Sequence, residues 1–165
     1  MFFHTCENTE EWAKRTPEEN KKLARKLIRN GTLSGFLGYL DTVPIVWCNV
    51  NEKSRFTFNK SRFNVHSEGH HQTVSIVCIT VLPSYRRMGY AHQMVQKVID
   101  HYSTSHYLRM EAYPAINKTS DEQNYHGPLS LYLKHGFQIT KRLSEYDDFG
   151  DYEEYAIVQK ELRKR

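Results

Sequence analysis

A run of eight mostly apolar residues spans positions 74–81 and is rich in β-branched side chains, which is typical of a buried strand. Pro83 ends the run, because proline offers no N–H to a strand ladder and disfavours helix at the residue before it. After a short basic turn, apolar residues recur one and three positions apart, which is the spacing of one helix face. These residues are Met94, Val95, Val98, Ile99 and Tyr102. The pattern predicts a strand, a turn and a helix in direct succession.

The same reasoning predicts the other regular elements. Thr16, Pro17 and Glu19 are typical of a capped helix start, and Asn30-Gly31 is typical of a helix end. Alternating and β-branched runs predict further strands, with a tight hairpin between the first two. The predicted strands span residues 36–40, 43–50, 107–112, 137–143 and 152–160, and a short helix spans 129–135.

Three segments lack these patterns. Residues 51–73 are polar and predict either a loop or a poorly formed helix. Residues 1–15 read as an irregular arm, and residues 161–165 as a frayed basic tail. The whole chain of 165 residues is predicted to be one α/β (α+β) domain with a mixed sheet, long enough to bury about two-thirds of its unfolded surface.

Composition narrows the class of protein. The 23 Lys and Arg residues exceed the 19 Asp and Glu residues only slightly, so the net charge of +4 admits anionic ligands. Because acidic residues are interleaved with the basic ones, we expect no nucleic-acid partner. Cys6, Cys48 and Cys78 are odd in number and form no C-x-x-C, which favours reduced thiols in a cytoplasmic protein. No apolar run approaches the ~20 residues of a membrane span, and no signal peptide is expected.

The basic turn between the strand and the helix has the features of an anion site. The first N–H groups of a helix have no internal partner and carry the positive end of the helix dipole. Gly89 lets an anion approach the backbone, and Arg86 and Arg87 add full charge. The turn contains neither the Gly-Lys-Ser/Thr of a Walker loop nor a G-x-G-x-x-G fingerprint. A different kind of phosphate site is therefore predicted.

The turn resembles motif A of the GNAT superfamily of N-acetyltransferases. That motif is Arg/Gln-x-x-Gly-x-Gly/Ala after a strand that ends in hydrophobic-x-Pro, and residues 81–91 match it in order. Three further motifs are similar to those of bacterial members of the superfamily. They are Trp47-Cys48, Glu111-Ala112-Tyr113-Pro114, and Gly127-x-x-Ser130-x-Tyr132 ahead of Gly136-Phe137. The resemblance implies a mixed, mostly antiparallel sheet with a splayed central strand and flanking helices.

The resemblance also implies acetyl-CoA as co-substrate. Its pantetheine is expected along the end of the central strand, on Ile79, Thr80 and Val81, where a splayed strand leaves backbone groups without partners. Its pyrophosphate is expected beside Arg86 on the amides of the turn. These amides belong to Arg87, Met88, Gly89, Tyr90, Ala91 and His92.

Two side chains match the positions of the family's proton-transfer residues. Glu111, at the end of a core strand, is the candidate base for the acceptor amine, whose ammonium form with a pKa of ~10 is not nucleophilic. Pairing with an arginine is the alternative for this carboxylate. Tyr132 is the candidate donor of a proton to the departing CoA thiolate, because a tyrosine is protonated at neutral pH. Packing of a short helix is the alternative for this ring.

One position departs from the family pattern. Many members carry a cofactor-contacting Asn seven residues before that tyrosine, but position 125 is Tyr here. The contact is therefore lost or made by Tyr125, Asn124 or Ser130. His66, His70 and His71 cluster in the polar segment, and their spacing does not by itself predict a metal site.

The leading hypothesis is an acetyl-CoA-dependent N-acetyltransferase that uses direct transfer in a ternary complex. The alternative is a non-catalytic acyl-CoA-binding sensor on the same fold. The acceptor is a small-molecule or peptide amine, and its identity stays open because a fold does not specify a substrate. The sequence is compatible with a homodimer but does not indicate one.

Overall fold

A computed structural model describes residues 14–56, 72–116, 124–146 and 152–162. The described chain forms three α-helices and six strands. The helices are α1 (Pro17–Arg29), α2 (Tyr90–Ser103) and α3 (Leu129–Lys134). The strands are β1 (Gly35–Leu40), β2 (Val43–Glu52), β3 (Thr73–Val81), β4 (Arg109–Ala112), β5 (Gln138–Tyr146) and β6 (Tyr152–Glu161).

The six strands form one sheet in the order β1-β2-β3-β4-β6-β5. β3 and β4 are parallel and every other pair is antiparallel, which confirms the predicted mixed, mostly antiparallel sheet. The parallel pairing runs only from Thr73↔Arg109 to Ile76↔Ala112. Because β4 ends at Ala112 and β3 continues to Val81, β3 has no β4 partner along its last five residues, Val77 to Val81. We call this region the β3–β4 gap.

A β-bulge lies at the start of the gap. Asn49 of β2 pairs with Cys78, whereas the next residue, Val50, pairs with Ile76. Val77 is therefore an extra residue on β3. A bulge bends its strand and increases the local twist, which fits the divergence of β3 from β4 at this point.

The side of the sheet that α2 covers, here called the helix face, holds the larger apolar cluster. α2 buries the five residues that periodicity predicts, and they pack with Val46, Cys48, Val74 and other strand residues. Leu131 and Tyr132 of α3 join the same cluster. The predicted helix spacing is thus confirmed.

The other side, here called the opposite face, is more polar. A smaller apolar cluster there includes Phe56, Val77 and Tyr113. Alternation along the strands also directs Asn49 and Glu111 to this face, because their neighbours in β2 and β4 belong to the helix-face cluster. Both residues are buried.

The helix α1 has the predicted capping box. The Thr16 N–H donates to Glu19 Oε2 at 2.7 Å, and the Glu19 N–H donates to Thr16 Oγ1 at 3.3 Å. The helix has no fully buried residue, and its Leu23, Ala24 and Leu27 pack against Leu33. None of the described helices has the length and apolar content needed to cross a membrane.

Three predicted boundaries were wrong. β5 continues to Tyr146, where the prediction ended at residue 143. β2 continues to Glu52 and a 3₁₀ turn follows at Lys53–Arg55, where a loop or weak helix was expected. β4 begins at Arg109 rather than at residue 107.

The predicted frayed tail also begins too early. β6 extends to Glu161, which pairs with Arg109, and the Leu162 N–H donates to the Leu108 carbonyl at 2.8 Å. This pairing keeps the chain ordered to Leu162. The rest of that prediction, at residues 163–165, and most of the predicted irregular arm, at residues 1–13, lie outside the described residues.

Candidate active site

The turn between β3 and α2 exposes backbone amides. Arg87 and Gly89 have positive φ angles of 63° and 84°. Gly89 is the N-cap of α2 and makes no side-chain cap, and the helical ladder begins with the Gln93 N–H, which donates to the Gly89 carbonyl at 3.1 Å. Helix geometry leaves the preceding amides without helical partners. A Cβ at Gly89 would meet nothing within 4 Å, so the space over these amides is open.

The two arginines of the turn differ in position. Arg86 is half-buried, and its Nε donates to the Val81 carbonyl at 3.1 Å, which ties the turn to the end of β3. Arg87 and Met88 are exposed. The positive charge of Arg87 therefore lies on the solvent side of the open amides.

A loop enters the β3–β4 gap and brings Tyr132 close to β3. The Ile79 N–H donates to the Tyr125 carbonyl at 2.8 Å. A Cβ at Gly127, whose φ is +79°, would lie 2.9 Å from Ile79 Cγ2 and 3.3 Å from the Tyr132 hydroxyl oxygen. The Tyr132 hydroxyl and the Ile79 side chain thus both lie close to Gly127, and a larger residue there would have to displace them.

Tyr132 is fully buried at this point. Its hydroxyl donates to the His126 carbonyl at 2.6 Å, and its ring packs edge-on against Phe137. Burial raises the pKa of Tyr132 well above its usual value of 10. The phenol therefore keeps its proton at neutral pH, as a proton donor requires.

Glu111 lies on the opposite face, within a network of donors. Its Oε2 is 2.7 Å from Lys53 Nζ and accepts a hydrogen bond from the Tyr113 hydroxyl at 2.8 Å. Its Oε1 accepts from Gln159 Nε2 at 2.6 Å. The Tyr113 hydroxyl also lies 3.1 Å from Ser75 Oγ. The carboxylate thus has three protein donors and 1% exposure.

Lys53 is the residue that sequence reasoning missed. Its side chain is 3% exposed, and burial lowers its pKa while the Glu111 charge opposes that shift. An arginine was the alternative partner expected for Glu111. The arginine of the same strand, Arg109, instead lies 3.7 Å from Glu161 at the surface. Nothing in the polar segment around Lys53 signals burial, so no sequence pattern could have found it.

The structure places the remaining predicted cofactor residues in different surroundings. Thr80 and Ser130 are exposed, and Tyr125 is half-buried with its ring 4.3 Å from that of His126. Asn124, half-buried in the same loop, has a buried Oδ1 that makes no hydrogen bond with any described residue. Tyr132 and the loop at Tyr125 therefore lie at the β3–β4 gap, the turn follows the end of β3, and Glu111 lies in its own network.

A histidine pair links α2 to α3. His92 Nδ1 lies 3.2 Å from His135 Nε2, and His135 Nδ1 lies 3.2 Å from Gln96 Oε1. The part of the chain that the structure describes contains no group of three or more metal-ligating side chains. His66, His70 and His71 lie outside the described residues.

Comparison with known proteins decides the family. The model of the Acetyltransferase (GNAT) family matches residues 3–137, which is most of the chain. The chain belongs to this family. It is an N-acetyltransferase, and acetyl-CoA is its co-substrate. The open amides and arginines of the turn fit a pyrophosphate, so the residues present suit that co-substrate.

Solved structures show the same fold at low identity. An N-acetyltransferase from Staphylococcus aureus Mu50 is 17% identical, with a TM-score of 0.63 over 90% of this chain and 79% of the other. A Salmonella typhimurium protein solved with acetyl-CoA is 16% identical, with a TM-score of 0.64 over 92% and 78%. A spermidine N-acetyltransferase chimera from Vibrio cholerae and hSSAT is 14% identical, with a TM-score of 0.65 over 92% and 83%. No curated protein matches the chain significantly.

Proposed function

We propose that this GNAT acetyltransferase moves the acetyl group directly from acetyl-CoA to an amine while both substrates are bound. The observation that carries the proposal is the position of Tyr132. Its hydroxyl lies beside Ile79 in the β3–β4 gap, and the open turn begins at the end of the same strand. A proton donor beside a strand and an anion site at the end of that strand are what a thioester with a pyrophosphate tail requires.

Residues of the turn and of β3 hold the co-substrate. The amides of residues 87–92 bind the pyrophosphate, with Arg87 adding charge and Arg86 fixing the turn to Val81. The pantetheine lies along residues 79–81. Because the Ile79 N–H already donates to the Tyr125 carbonyl, a pantetheine carbonyl at this amide replaces that bond.

The family's missing asparagine is replaced by its neighbour. Asn124 precedes position 125 by one residue, and its buried Oδ1 makes no hydrogen bond with any described residue. We assign it the cofactor contact, since an unpaired buried acceptor gains most from a new donor. Tyr125 then contributes through its main-chain carbonyl, and Ser130 lies exposed at the first turn of α3.

Tyr132 and Glu111 move the protons. Tyr132 gives its hydroxyl proton to the CoA sulfur as the C–S bond breaks, and it recovers a proton from solvent after release. Glu111 receives the proton that the ammonium must lose before its nitrogen attacks the thioester carbon and forms the C–N bond, and it passes that proton to solvent after the products leave. The second proton that the nitrogen loses as the intermediate collapses balances the one that Tyr132 gave to sulfur. The chain of hydroxyls from Ser75 through Tyr113 to Glu111 supplies a route for the ammonium proton, because each step is a hydrogen-bonding distance.

The burial of Glu111 favours a second role for this one residue. Its carboxylate already has three donors, and such saturation suits a structural ion pair as well as a base. The two roles differ in the kcat expected of Glu111→Gln.

Release of free thiol from acetyl-CoA, measured across a panel of amines, tests the proposal. We expect turnover with at least one amine and about 100-fold lower kcat in Glu111→Gln. Binding of acetyl-CoA with no thiol release on any amine would favour the sensor. Full kcat in Glu111→Gln would leave the enzyme intact and remove the base.

A further inference from the structure

Asn49 is a fully buried polar residue that the proposed mechanism does not use. Neither its Oδ1 nor its Nδ2 makes a hydrogen bond with any described residue. On the same strand, Asn51 donates Nδ2 to the Thr32 carbonyl at 3.0 Å and accepts the Glu52 N–H at 2.8 Å. A buried amide without partners destabilises a fold, since its atoms have lost water and gained nothing. A buried amide in this state points to a ligand.

The position of Asn49 points to the acceptor side of the reaction. Asn49 pairs with Cys78 at the β-bulge. The next residue of β3 is Ile79, whose N–H donates to the Tyr125 carbonyl of the loop that enters the β3–β4 gap. Bulges are common beside active sites because they redirect side chains. Two residues further along these strands, the exposed Thr80 pairs with the half-buried Trp47. Asn49 therefore lies on the opposite face, one pair along the β2–β3 ladder from Ile79, where the proposed pantetheine site begins.

The buried charges on the opposite face indicate which class of acceptor amine it suits. Among the described buried residues, the charged side chains are Lys53 and Glu111, and they neutralise each other at 2.7 Å. A polyamine brings a second ammonium group, which needs an uncompensated carboxylate when it leaves water. The described buried residues offer none. A neutral polar group beside the reacting amine suits this face better.

The chemistry of the side chain identifies that group. A carboxamide presents one acceptor and two donor hydrogens in a plane, so its best partner is a group that offers both a donor and an acceptor. Another amide does so. A peptide N-terminus or an amino-acid amide carries such a group next to its amine, whereas a polyamine carries none.

We propose that Asn49 pairs with the amide of an aminoacyl acceptor, and that amines bearing an adjacent peptide or carboxamide group are the preferred substrates. The inference rests on the proposed acetyl transfer and adds its substrate class. Asn49 acts as a specificity residue that binds the acceptor. It takes no part in proton transfer.

The first test uses the unaltered enzyme and two matched acceptors. Glycinamide and glycine methyl ester present similar amines, but the ester lacks the amide N–H. We expect kcat/KM for glycinamide, followed by thiol release, to exceed that for the ester by about 10-fold and that for spermidine by more. Equal values for the amide and the ester would overturn the proposal.

The second test uses Asn49→Leu, with Asn51→Leu as the matched control. Leucine has a similar volume and removes the unpaired amide, so the variant should unfold at the same Tm or higher and bind acetyl-CoA unchanged. It should lose the preference for glycinamide over the ester. Asn51→Leu, which deletes two hydrogen bonds, should lower Tm and keep the preference.

The outcomes distinguish a failure of the proposed amide preference from a failure of the proposed acetyl transfer. A variant Asn49→Leu that keeps the amide preference overturns the inference, and so does one with a lowered Tm, because the amide would then have partners. Turnover of simple amines with no amide preference would also overturn it and leave the acetyltransferase intact. Absence of acetyl-CoA binding by the unaltered chain would instead remove the proposed function itself.

Discussion

On the helix face, α2 packs Met94, Val95 and Val98 against the strands, and the contacts are almost entirely apolar. On the opposite face, the same sheet buries Lys53 and Glu111 as an ion pair. Apolar burial is non-directional, so each contact adds a modest and replaceable amount of stability. A buried charge depends on a particular partner. The comparison therefore separates a face that tolerates change from one that does not, and the proposed acceptor chemistry lies on the intolerant face.

Loss of one partner on the opposite face should give the largest effect. Lys53→Met leaves the Glu111 carboxylate buried without its cation, which should lower the free energy of unfolding by about 3–5 kcal/mol. The double variant Lys53→Met/Glu111→Gln should lose less, because no unpaired charge is left. Denaturant unfolding measures both.

Arg109→Met is the matched control for that prediction. Its partner Glu161 is largely exposed, and Arg109 Nε lies 3.7 Å from Glu161 Oε1. The variant should therefore change the free energy of unfolding by less than about 1 kcal/mol. A Lys53→Met variant as mild as this control would show that the two ion pairs are equivalent and would remove the contrast between the faces.

Tyr132→Phe sharpens the comparison, because it removes one polar group from the apolar helix face. We expect kcat to fall about 100-fold through loss of the proton donor. Tm should also fall, since the His126 carbonyl loses its donor. Steady-state thiol release and thermal unfolding measure the two effects.

Tyr102→Phe is the control for Tyr132→Phe. Tyr102 belongs to the same cluster on α2, and burial raises its pKa to about 12, but it lies in the last turn of α2, away from the turn that begins the helix. Its variant should keep full kcat. Full turnover in Tyr132→Phe would end the assignment of Tyr132 as the proton donor.

Truncation within the apolar cluster should have a smaller effect on stability. Val98 is fully buried on α2, and Val98→Ala should cost about 2 kcal/mol through lost contacts and a small cavity. Lys97→Ala, on the exposed side of the same helix, should stay within about 0.5 kcal/mol. Denaturant unfolding of the pair checks this, and equal costs would contradict the assigned face of α2.

The smallest effect concerns pH. Burial lowers the pKa of His135 from its usual 6.5, and the nearby His92 and Lys160 lower it further. As the pH falls below about 6.5, the unfolded chain takes up the proton first, so the contribution of His135 to stability is present above that pH and lost below it. The native protein should therefore lose more stability than His135→Gln between about pH 7.5 and about pH 5.5. A difference that does not change over this range would contradict the lowered pKa.

The contrast between the helix face and the opposite face also explains which features the sequence could predict. The apolar stripe of α2, the capping box at Thr16 and Glu19, and the turn at Gly89 are local patterns, since each involves residues within a few positions of one another. The pairing of Lys53 with Glu111 depends on a 3₁₀ turn after β2 that brings two distant segments together. No periodicity encodes such a meeting.

Within the candidate site too, the sequence predicts local motifs but not contacts between distant segments. Motif resemblance indicated Tyr132 and the turn, because both are parts of short contiguous motifs. The bond from the Ile79 N–H to the Tyr125 carbonyl depends on the path of a loop, and the unpaired amide of Asn49 depends on which face of a bulged strand it occupies. These features require the folded chain.

The central claim is that the turn at Gly89 binds the pyrophosphate of acetyl-CoA, and thermal unfolding with Gly89→Glu tests it most directly. Gly31→Glu is a close control, because Gly31 also has a positive φ, of 74°, and open space around a built Cβ. Acetyl-CoA at about 100 times its Kd should stabilise the native protein by about 2.7 kcal/mol. We predict that Gly31→Glu retains this shift in Tm and that Gly89→Glu loses it. An undiminished shift in Gly89→Glu would contradict the account.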